Sequence, residues 1–297
     1  MKISIIVPVL NDLRVEHLLR SLTNQSLPKE EYEILVVDNS GNDKIKQIVA
    51  RFQTQYLVET RPGSYNARNA GIAAASGEFL AFIDADCIAD PDWLKELMIP
   101  FQDLQTGGVG GSIVKNAPKS WIEQGTRNLA EGQNGLQHIP FSPWPFIVTG
   151  NAAYRASIIR SLGGFDGTFT SGGDADMSWR VLHAGYDITI APKAVIYHAS
   201  RSSLADYFRQ HAKYTTGQAL LFKKYAAQLN RRWYFHAYPI KGYLRIARDL
   251  GPTLIQFLRN QEKGRSEASR LLLEFVMYSG MLCGALRGAL KHKVAYI

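Results

Sequence analysis

Short apolar runs recur along the first third of the chain, and they constrain its fold more than any other feature. The runs are Ile3–Val9, Glu33–Asp38, Gln55–Glu59 and Phe79–Ile83. Several lack apolar–polar alternation, which is typical of strands buried on both faces of a parallel sheet. Helix-like segments near residues 13–25, 44–52 and 65–75 separate them. This β-α-β-α order predicts a doubly wound α/β fold whose ligands bind at the carboxyl ends of the strands.

Carboxylates follow two of these predicted strands. Asp84 and Asp86 come directly after Phe79–Ile83, and Asp38 ends an earlier strand. Two carboxylates in an Asp-x-Asp spacing can both reach one hard cation such as Mg²⁺ or Mn²⁺, although a solvated turn has the same spacing. If Asp38 and Asp84 end neighbouring strands, they face one crevice.

Two further segments carry candidate site residues. Arg61 and Arg68 flank a Pro-Gly turn and the start of a helix, a favourable arrangement for an anion. Asp174 and Asp176 fall in the first turn of a helix, where they either cap the helix or act as a general base. His198 ends an apolar strand and is a metal ligand only if that strand reaches the same crevice.

In their order along the chain, seven stretches resemble the inverting family 2 glycosyltransferases. They are Ile5–Pro8, Val36–Asp38, Gly63–Gly71, Asp84–Asp86, Thr149–Asn151, Gly163–Asp166 and Asp174–Arg180. The resemblance implies a GT-A domain over residues 1–200, with a nucleotide-sugar half in 1–115 and an acceptor half in 116–200. It implies a mixed, mainly parallel sheet flanked by helices, with residues 201–297 as a helical extension. It also implies a nucleotide-diphosphate sugar donor, with uracil as the expected base, and transfer with inversion.

The resemblance also implies roles for individual residues. Pro8 and Val9 would line the base pocket, Asp38 would hydrogen-bond the base, and Arg61, Arg68 and Asp84 would lie on the nucleotide-sugar side. Asp174 would be the catalytic base, with Asp176 as its rival. Asp86 would bind a divalent cation, Mn²⁺ or Mg²⁺, with His198 completing the metal shell. The residues expected on the acceptor or diphosphate side are Gly150, Asn151, Asp176, Trp179 and Arg180.

One position departs from the family. Gly173 stands where the family commonly has a glutamate, which puts acceptor binding in doubt but keeps the Asp174 carboxylate. Two other functions therefore stay open. A non-catalytic module that binds sugar nucleotides or membrane lipids would bind donor without turnover. A sugar-phosphate nucleotidyltransferase would usually show a Gly-rich basic signature after the first strand, where this chain has Asn11–Arg14.

Residues 116–148 are predicted to form a long irregular segment of the kind that covers or shapes a site. From about residue 203 the chain is predicted to be mostly helical, with breaks at Gly251–Pro252 and at Gly264.

The last third of the chain is strongly basic. The net charge is +8, yet residues 1–200 hold 17 Lys and Arg against 21 Asp and Glu, and residues 201–297 hold 17 against 5. No nucleic-acid motif accompanies this excess, so we expect an anionic membrane surface as the partner. Residues 271–290 hold too short an uncharged run to span a bilayer and either pack on the catalytic domain or lie in the interface. Two cysteines in 297 residues favour a reducing, cytoplasmic setting. Together with the basic last third, this predicts a peripheral position at the inner face of the membrane.

Overall fold

The computed structural model describes residues 2–130 and 135–296. The chain divides into two compact units, Met1–Asn116 with Gln133–Ala199, and Ala117–Gly132 with Ser200–Ile297. The strands, all in the first unit, are β1 (Ile3–Val9), β2 (Tyr32–Asp38), β3 (Gln55–Val58), β4 (Phe79–Ile83), β5 (Cys87–Ala89), β6 (Thr106–Lys115), β7 (Asn151–Arg155) and β8 (Asp187–His198). The helices of this unit are α1 (Val15–Leu22), α2 (Asp43–Val49), α3 (Ser64–Ala74), α4 (Trp93–Met98), α6 (Ala156–Ser161) and α7 (Gly173–His183).

The apolar runs of the sequence form the centre of the sheet. Strand β1 is buried along its whole length and pairs in parallel with β2 on one side and β4 on the other. Burial on both faces explains why these strands are apolar without alternation. Helices α1 and α2 cover the sheet with their own buried Val, Leu and Ile side chains. The predicted strands and the helices between them are confirmed, with ends that differ by at most three residues.

Among the described residues the eight strands form one sheet in the order β3-β2-β1-β4-β7-β6-β8-β5. Strand β7 runs antiparallel to β4 and β6, and β5 runs antiparallel to β8, while the other pairs are parallel. The mixed, mainly parallel GT-A-type sheet is therefore confirmed. The expectation that Asp38 and Asp84 end neighbouring strands was wrong, because β1 lies between β2 and β4.

The second unit is helical. It contains α5 (Trp121–Ala130), α8 (Leu204–Tyr225), α9 (Ala237–Arg259) and α10 (Gln261–His292). The expectation of an irregular segment over residues 116–148 was wrong for α5, and residues 131–134 lie outside the described part. Helix α10 contacts α8 through a hydrogen bond of 3.1 Å from the Thr216 hydroxyl to the Gly284 carbonyl. It contacts α9 through a buried carboxylate, Glu274, that pairs with Arg245 at 3.1 Å.

Two predicted helix breaks are absent from the described helices. Helix α9 continues through Gly251 and Pro252, and α10 includes Gly264. The chain turns at Asn260 instead, whose side chain caps α10 by accepting a hydrogen bond from the Lys263 N–H. Gly264 serves close approach rather than a break, since a Cβ there would collide with the backbone of Phe257. Helix α10 is long and apolar enough to cross a membrane, but 44% of its most apolar window is buried inside the protein.

Candidate active site

Asp84 lies at the carboxyl end of β4 and stays accessible, with 43% of its side chain exposed. Its Oδ1 accepts a hydrogen bond of 2.6 Å from Nη2 of Arg68 on α3. Arg68 is almost fully buried, and its Nε has no hydrogen-bond partner among the described residues. Gly150 lies against the same carboxylate, because a Cβ at this position would stand 3.0 Å from Asp84 Oδ2. The structure thus brings Asp84, Arg68 and Gly150 together.

Asp86 and His198 offer two ligand atoms to a cation. Strands β5 and β8 are antiparallel and place Cys87 opposite His198, so Asp86 Oδ2 lies 3.2 Å from His198 Nε2. Adjacent ligands of an octahedral Mg²⁺ or Mn²⁺ ion lie about 3 Å apart, so this spacing fits one ion. The Cys87 sulfur is within 4.8 Å of both atoms. Burial, with Asp84 and Asp86 nearby, raises the pKa of the Cys87 thiol, and a neutral thiol does not suit a hard cation.

Lys115 lies beside His198, with its Nζ 3.2 Å from the ring Nδ1, and the ring nitrogen donates or accepts according to its tautomer. An ammonium only donates, so the tautomer that satisfies a charged Lys115 carries its proton on Nε2, facing Asp86. A histidine that binds a cation through Nε2 carries its proton on Nδ1. In the first tautomer His198 would bind a cation only after Lys115 moves away, whereas the Asp86 carboxylate needs no change of tautomer.

Sequence reasoning missed both cations beside this pair. Besides Lys115, Arg14 places its Nη2 3.4 Å from Asp86 Oδ2 while also pairing with Asp12. No local pattern marks either residue, since one follows β1 and the other ends β6. The positive charges of Arg14 and Lys115 lie close to the Asp86 carboxylate, whose negative charge a divalent cation would also balance. A bound diphosphate would in turn balance the charges of these two side chains.

Asp38 is fully buried at the end of β2, where it pairs in register with Val9, and Pro8 is buried beside them. Its carboxylate accepts hydrogen bonds from backbone N–H groups of the following turn and one of 2.8 Å from the Tyr56 hydroxyl. Burial and this bond raise the pKa of Tyr56 to about 12. The Asp38 carboxylate thus orders the turn after β2, and its contact with a nucleotide base stays a prediction.

Asn39 connects this turn to the segment before α3, another contact that the sequence did not reveal. Its amide nitrogen donates to the Glu59 and Arg61 carbonyls at 2.6 and 2.8 Å, and its Oδ1 accepts from the Gly63 N–H at 2.7 Å. The Arg61 guanidinium is 68% exposed and pairs with Glu59 at 2.8 Å. This pairing lowers the pKa of Glu59 to about 2. Arg61 and Arg68, which sequence reasoning placed together, therefore bind different carboxylates.

Asp174 lies in the first turn of α7, with its Oδ1 3.3 Å from the hydroxyl of Tyr65 on α3. The same hydroxyl accepts a hydrogen bond of 3.0 Å from the Gly173 N–H. Burial raises the pKa of Asp174, while backbone N–H groups, Arg68 and Tyr65 favour its charged form. A carboxylate whose pKa is raised towards neutrality is a stronger proton acceptor, as a general base requires.

Gly173 has no room for a side chain. A Cβ at this position would lie 2.7 Å from Cζ of Tyr65 and 2.8 Å from Cε2. The aromatic ring therefore fills the space that the glutamate expected at this position would need. Tyr65, which lies 108 positions earlier in the chain, therefore occupies the space beside Gly173.

Asp176 is fully buried and accepts a hydrogen bond of 2.9 Å from Nε of Arg180, one turn along α7. Arg180 also donates to the Leu162 and Gly164 carbonyls, both at 2.8 Å. Arg180 therefore connects α7 to the turn after α6. Asp176 contacts Arg180, whereas Asp174 contacts the Tyr65 hydroxyl. Its place on the acceptor or diphosphate side stays a prediction, as does that of Arg180.

Two other predicted acceptor-side residues are interior. Trp179 is fully buried, and its Nε1 donates a hydrogen bond of 3.1 Å to the Trp144 carbonyl. Asn151 is 1% exposed and joins three strands, because its amide nitrogen donates to Ser112 on β6 and Ala194 on β8, each at 2.9 Å. These contacts explain both residues by packing, and their contact with a substrate stays a prediction.

Helix α3 connects two candidate site carboxylates, the exposed Asp84 and the partly buried Asp174. Tyr65 and Arg68 lie one turn apart on it, with the Arg68 guanidinium carbon 5.5 Å from the centroid of the Tyr65 ring. Tyr65 contacts Asp174 and Arg68 contacts Asp84. A continuous set of contacts therefore runs from the strand-end aspartates to the first turn of α7.

The family model for glycosyl transferase family 2 matches residues 4–163. Glycosyltransferase AglE from Haloferax volcanii is 31% identical over 206 residues, which cover 67% of this chain and 67% of that protein. The mannosyltransferase PcManGT from Pyrobaculum calidifontis, solved with GDP-Man and Mn²⁺, has a TM-score of 0.68 at 19% identity, covering 98% of this chain and 87% of that one. S. aureus TarS 1-349, solved with UDP, has a TM-score of 0.53 at 18% identity, covering 99% and 92%. With more than half of its length matched, the chain belongs to glycosyl transferase family 2 and is a glycosyltransferase with a GT-A fold.

Proposed function

We propose that the protein transfers a sugar from a nucleotide-diphosphate donor to an acceptor hydroxyl, with inversion at the anomeric carbon. The observation that carries this proposal is the set of contacts Asp84–Arg68–Tyr65–Asp174, which joins a candidate donor side to a candidate base. Inversion needs a base and a leaving group on opposite faces of the sugar, and no covalent enzyme intermediate. Residues 1–200 would form the catalytic domain.

Asp174 would accept the proton of the acceptor hydroxyl as that oxygen attacks the anomeric carbon. Its raised pKa supports this role, and the Tyr65 hydroxyl would keep the carboxylate in place. On the other side, the buried Arg68 would hold Asp84 and stabilise negative charge on the departing diphosphate. Arg68 Nε, which is buried without a partner among the described residues, supports a ligand contact at this point.

Asp86 would be the principal ligand of a divalent cation, Mn²⁺ or Mg²⁺, with His198 joining it after Lys115 withdraws. Such an ion would neutralise charge on the leaving nucleoside diphosphate. The similar mannosyltransferase was solved with Mn²⁺, which supports a cation in this fold. The donor nucleotide is proposed to be UDP, as in the structure of TarS, with GDP as the competing choice because PcManGT was solved with GDP-Man. Pro8, Val9 and the turn held by Asp38 would receive the base.

The acceptor is proposed to be a glycan or a lipid-linked hydroxyl compound met at the cytoplasmic face of a membrane. The basic residues 201–297 support this location, since they hold 17 Lys and Arg against 5 Asp and Glu. The acidic balance of residues 1–200 shows that the basic excess is not a general property of the chain.

The deciding experiment offers the full chain a panel of UDP- and GDP-sugars with Mn²⁺ or Mg²⁺, and measures thermal protection and products. Donor-dependent protection and release of a nucleoside diphosphate with an inverted glycoside, assigned by NMR, are expected. Release of pyrophosphate from a sugar phosphate and a nucleoside triphosphate would identify a nucleotidyltransferase instead. Donor binding without turnover on any acceptor would identify a binding module.

A further inference from the structure

Helix α9 leaves an apolar face exposed along its whole length. Ile240, Leu244, Leu254 and Leu258 are 40%, 68%, 62% and 78% exposed. Ile240 and Leu258 are separated by about five helical turns, so both ends of the stripe point the same way. The opposite side of the helix packs against the rest of its unit through buried Gly242, Ile246 and Thr253. We call the exposed set the α9 stripe.

A row of basic residues borders the α9 stripe. Lys241, Arg248 and Arg259 are all exposed, and their spacings of seven and eleven residues correspond to about two and three helical turns. Arg248 pairs only with the adjacent Asp249, at 2.9 Å on the surface, among its described ion pairs. Trp233, which is 68% exposed, precedes the helix in the chain. Aromatic and basic side chains around an exposed apolar helix face are the composition of an interfacial helix.

We infer that the α9 stripe is the surface by which this protein inserts into an anionic lipid membrane, lying in the plane of the interface. The leucines would enter the acyl boundary while Lys241, Arg248 and Arg259 contact lipid phosphates. A lipid surface fits better than an apolar protein groove because the basic row needs anions along the full length of the stripe. The inference rests on the proposed function, because it names the surface that would hold the protein at the membrane where the acceptor is met.

Flotation of the full chain with vesicles tests this inference. Binding to phosphatidylglycerol–phosphatidylcholine vesicles, weakened by salt, is expected, with little binding to phosphatidylcholine alone. The variant Leu244→Gln/Leu258→Gln should bind at least about tenfold more weakly, because each leucine loses apolar burial. Lys241→Gln/Arg248→Gln should lose about fivefold per charge. The matched control is Leu104→Gln, which changes an 80% exposed leucine of the other unit and should bind as the parent does.

Two outcomes would overturn the inference. One is unchanged vesicle binding by the Leu244→Gln/Leu258→Gln variant. The other is a dimer in light scattering that this variant dissociates while vesicle binding persists, which would make the stripe a contact between copies. Donor turnover on a soluble acceptor is measured in parallel without vesicles. A failure of the proposed function would abolish turnover in every protein and leave vesicle binding intact, so the two failures are distinguishable.

The hydroxyl of Tyr65 links two neighbouring residues of α7. It accepts a hydrogen bond of 3.0 Å from the Gly173 N–H and donates one of 3.3 Å to Asp174. Its ring is 5% exposed and packs tilted against Phe165 at 5.6 Å between centroids. The side chain has no freedom to leave the base, since Gly173 and Phe165 contact its ring and Arg68 lies beside it.

We infer that Tyr65 is the positioning residue of Asp174: it fixes the direction of the carboxylate and favours its charged form. This inference rests on the proposed role of Asp174. The groups that act on Asp174 are the hydroxyl of Tyr65, the guanidinium of Arg68, the backbone N–H groups of Asp174 and Ala175 and the hydroxyl of Tyr154. Among these, the Tyr65 hydroxyl donates directly to the carboxylate and can be removed with little loss of volume.

The test is Tyr65→Phe, with the kinetics of transfer measured against pH. A fall in kcat of about tenfold is expected, with the donor KM nearly unchanged, because one hydrogen bond to a charged group is lost. The acidic limb of the pH profile should move to higher pH, since loss of a donor raises the pKa of Asp174. Tyr32→Phe, which removes a half-buried hydroxyl that donates to the Leu22 carbonyl at 2.9 Å, is the control and should leave the limb in place.

A Tyr65→Phe enzyme with an unmoved acidic limb would overturn the positioning role. An equal loss of kcat in both variants, tracking their thermal stability, would also overturn it, since that is the behaviour of a purely structural hydroxyl. If the Asp174 assignment itself is at fault, Asp174→Asn retains transfer. That result separates failure of the proposed function from failure of this inference.

Discussion

Arg68 Nη2 lies 2.6 Å from Asp84 Oδ1, and this ion pair joins helix α3 to the end of the central strand β4. The arginine is buried, whereas the aspartate side chain is 43% exposed, so the pair presents its carboxylate to solvent. The guanidinium is planar and already oriented, which favours an additional anion contact through its remaining N–H groups.

Replacing Arg68 with alanine should weaken donor binding by at least about tenfold, because a buried charge-assisted contact is lost. Arg68→Lys should not restore binding, since an ammonium lacks the planar set of donors. Calorimetric titration with UDP and GDP measures the loss. Arg20→Ala, which removes an exposed ion pair with Glu16 on α1, is the matched control and should bind normally. Full affinity in the Arg68→Ala protein would contradict the prediction.

The two aspartates of α7 should behave differently. Asp174→Asn should lower transfer by about 10²–10⁴-fold while donor binding persists, as expected for loss of a general base. Asp176→Asn should lower the free energy of unfolding by about 2 kcal/mol, because Arg180 loses a charged partner in the interior. Single-turnover kinetics and urea titration separate the two effects. Near-normal transfer by the Asp174→Asn enzyme would refute its assignment as the base.

Cation binding should depend on Asp86 and be opposed by Lys115. We expect Asp86→Asn to abolish protection by Mn²⁺ against thermal unfolding. Lys115→Met should strengthen it, because Nδ1 of His198 is released to carry the ring proton. Both shifts are read by calorimetry and by the electron paramagnetic resonance of bound Mn²⁺. Asp92→Asn, at an exposed aspartate before α4, is the control, and weaker Mn²⁺ binding by Lys115→Met would count against this account.

Gly173→Ala should destabilise the protein by about 1–3 kcal/mol, because its Cβ would overlap the Tyr65 ring. Gly251→Ala, at a helical glycine with nothing within 4 Å of an added Cβ, should instead leave stability unchanged or raise it by about 0.5–1 kcal/mol. Urea unfolding of both variants provides the comparison. A Gly173→Ala protein as stable as the parent would show that the Tyr65 ring can move aside.

The second unit should lose stability in acid through two histidines. Burial lowers the pKa of His211 from 6.5 to about 4, and burial also lowers the pKa of His236, whose ring nitrogens have no hydrogen-bond partner among the described residues. The unfolded chain therefore takes up protons first. Stability is fully present above pH 6.5 and falls as the pH drops from there towards about 4.

For His211 the expected loss is on the order of 3 kcal/mol. The variant His211→Gln/His236→Gln should flatten the dependence of stability on pH over this interval. His17→Gln, at an exposed histidine on α1, is the control and should keep the slope of the parent. Thermal unfolding followed from pH 7 to pH 4 provides the measurement. An unchanged slope in the double variant would refute the assignment.

The sequence by itself determined the four strands of the first third of the chain, the positions of the strand-end aspartates and the family. Burial on both faces requires apolar runs such as Phe79–Ile83, and a carboxylate directly after such a run is visible without coordinates. These are local properties, because periodicity and the end of a strand are written in adjacent residues. Local signals also misled the prediction for Gly251 and Pro252, because α9 continues through both residues.

Only the tertiary structure decided which partners the marked residues contact. Asp174 and Asp176 are two positions apart, yet one meets Tyr65 and the other is buried on Arg180. The partners of Asp174 and His198 lie 109 and 83 positions away, so no local pattern could pair them. Contacts across such separations follow from how helices and strands pack, and the physical environment of each carboxylate follows from those contacts.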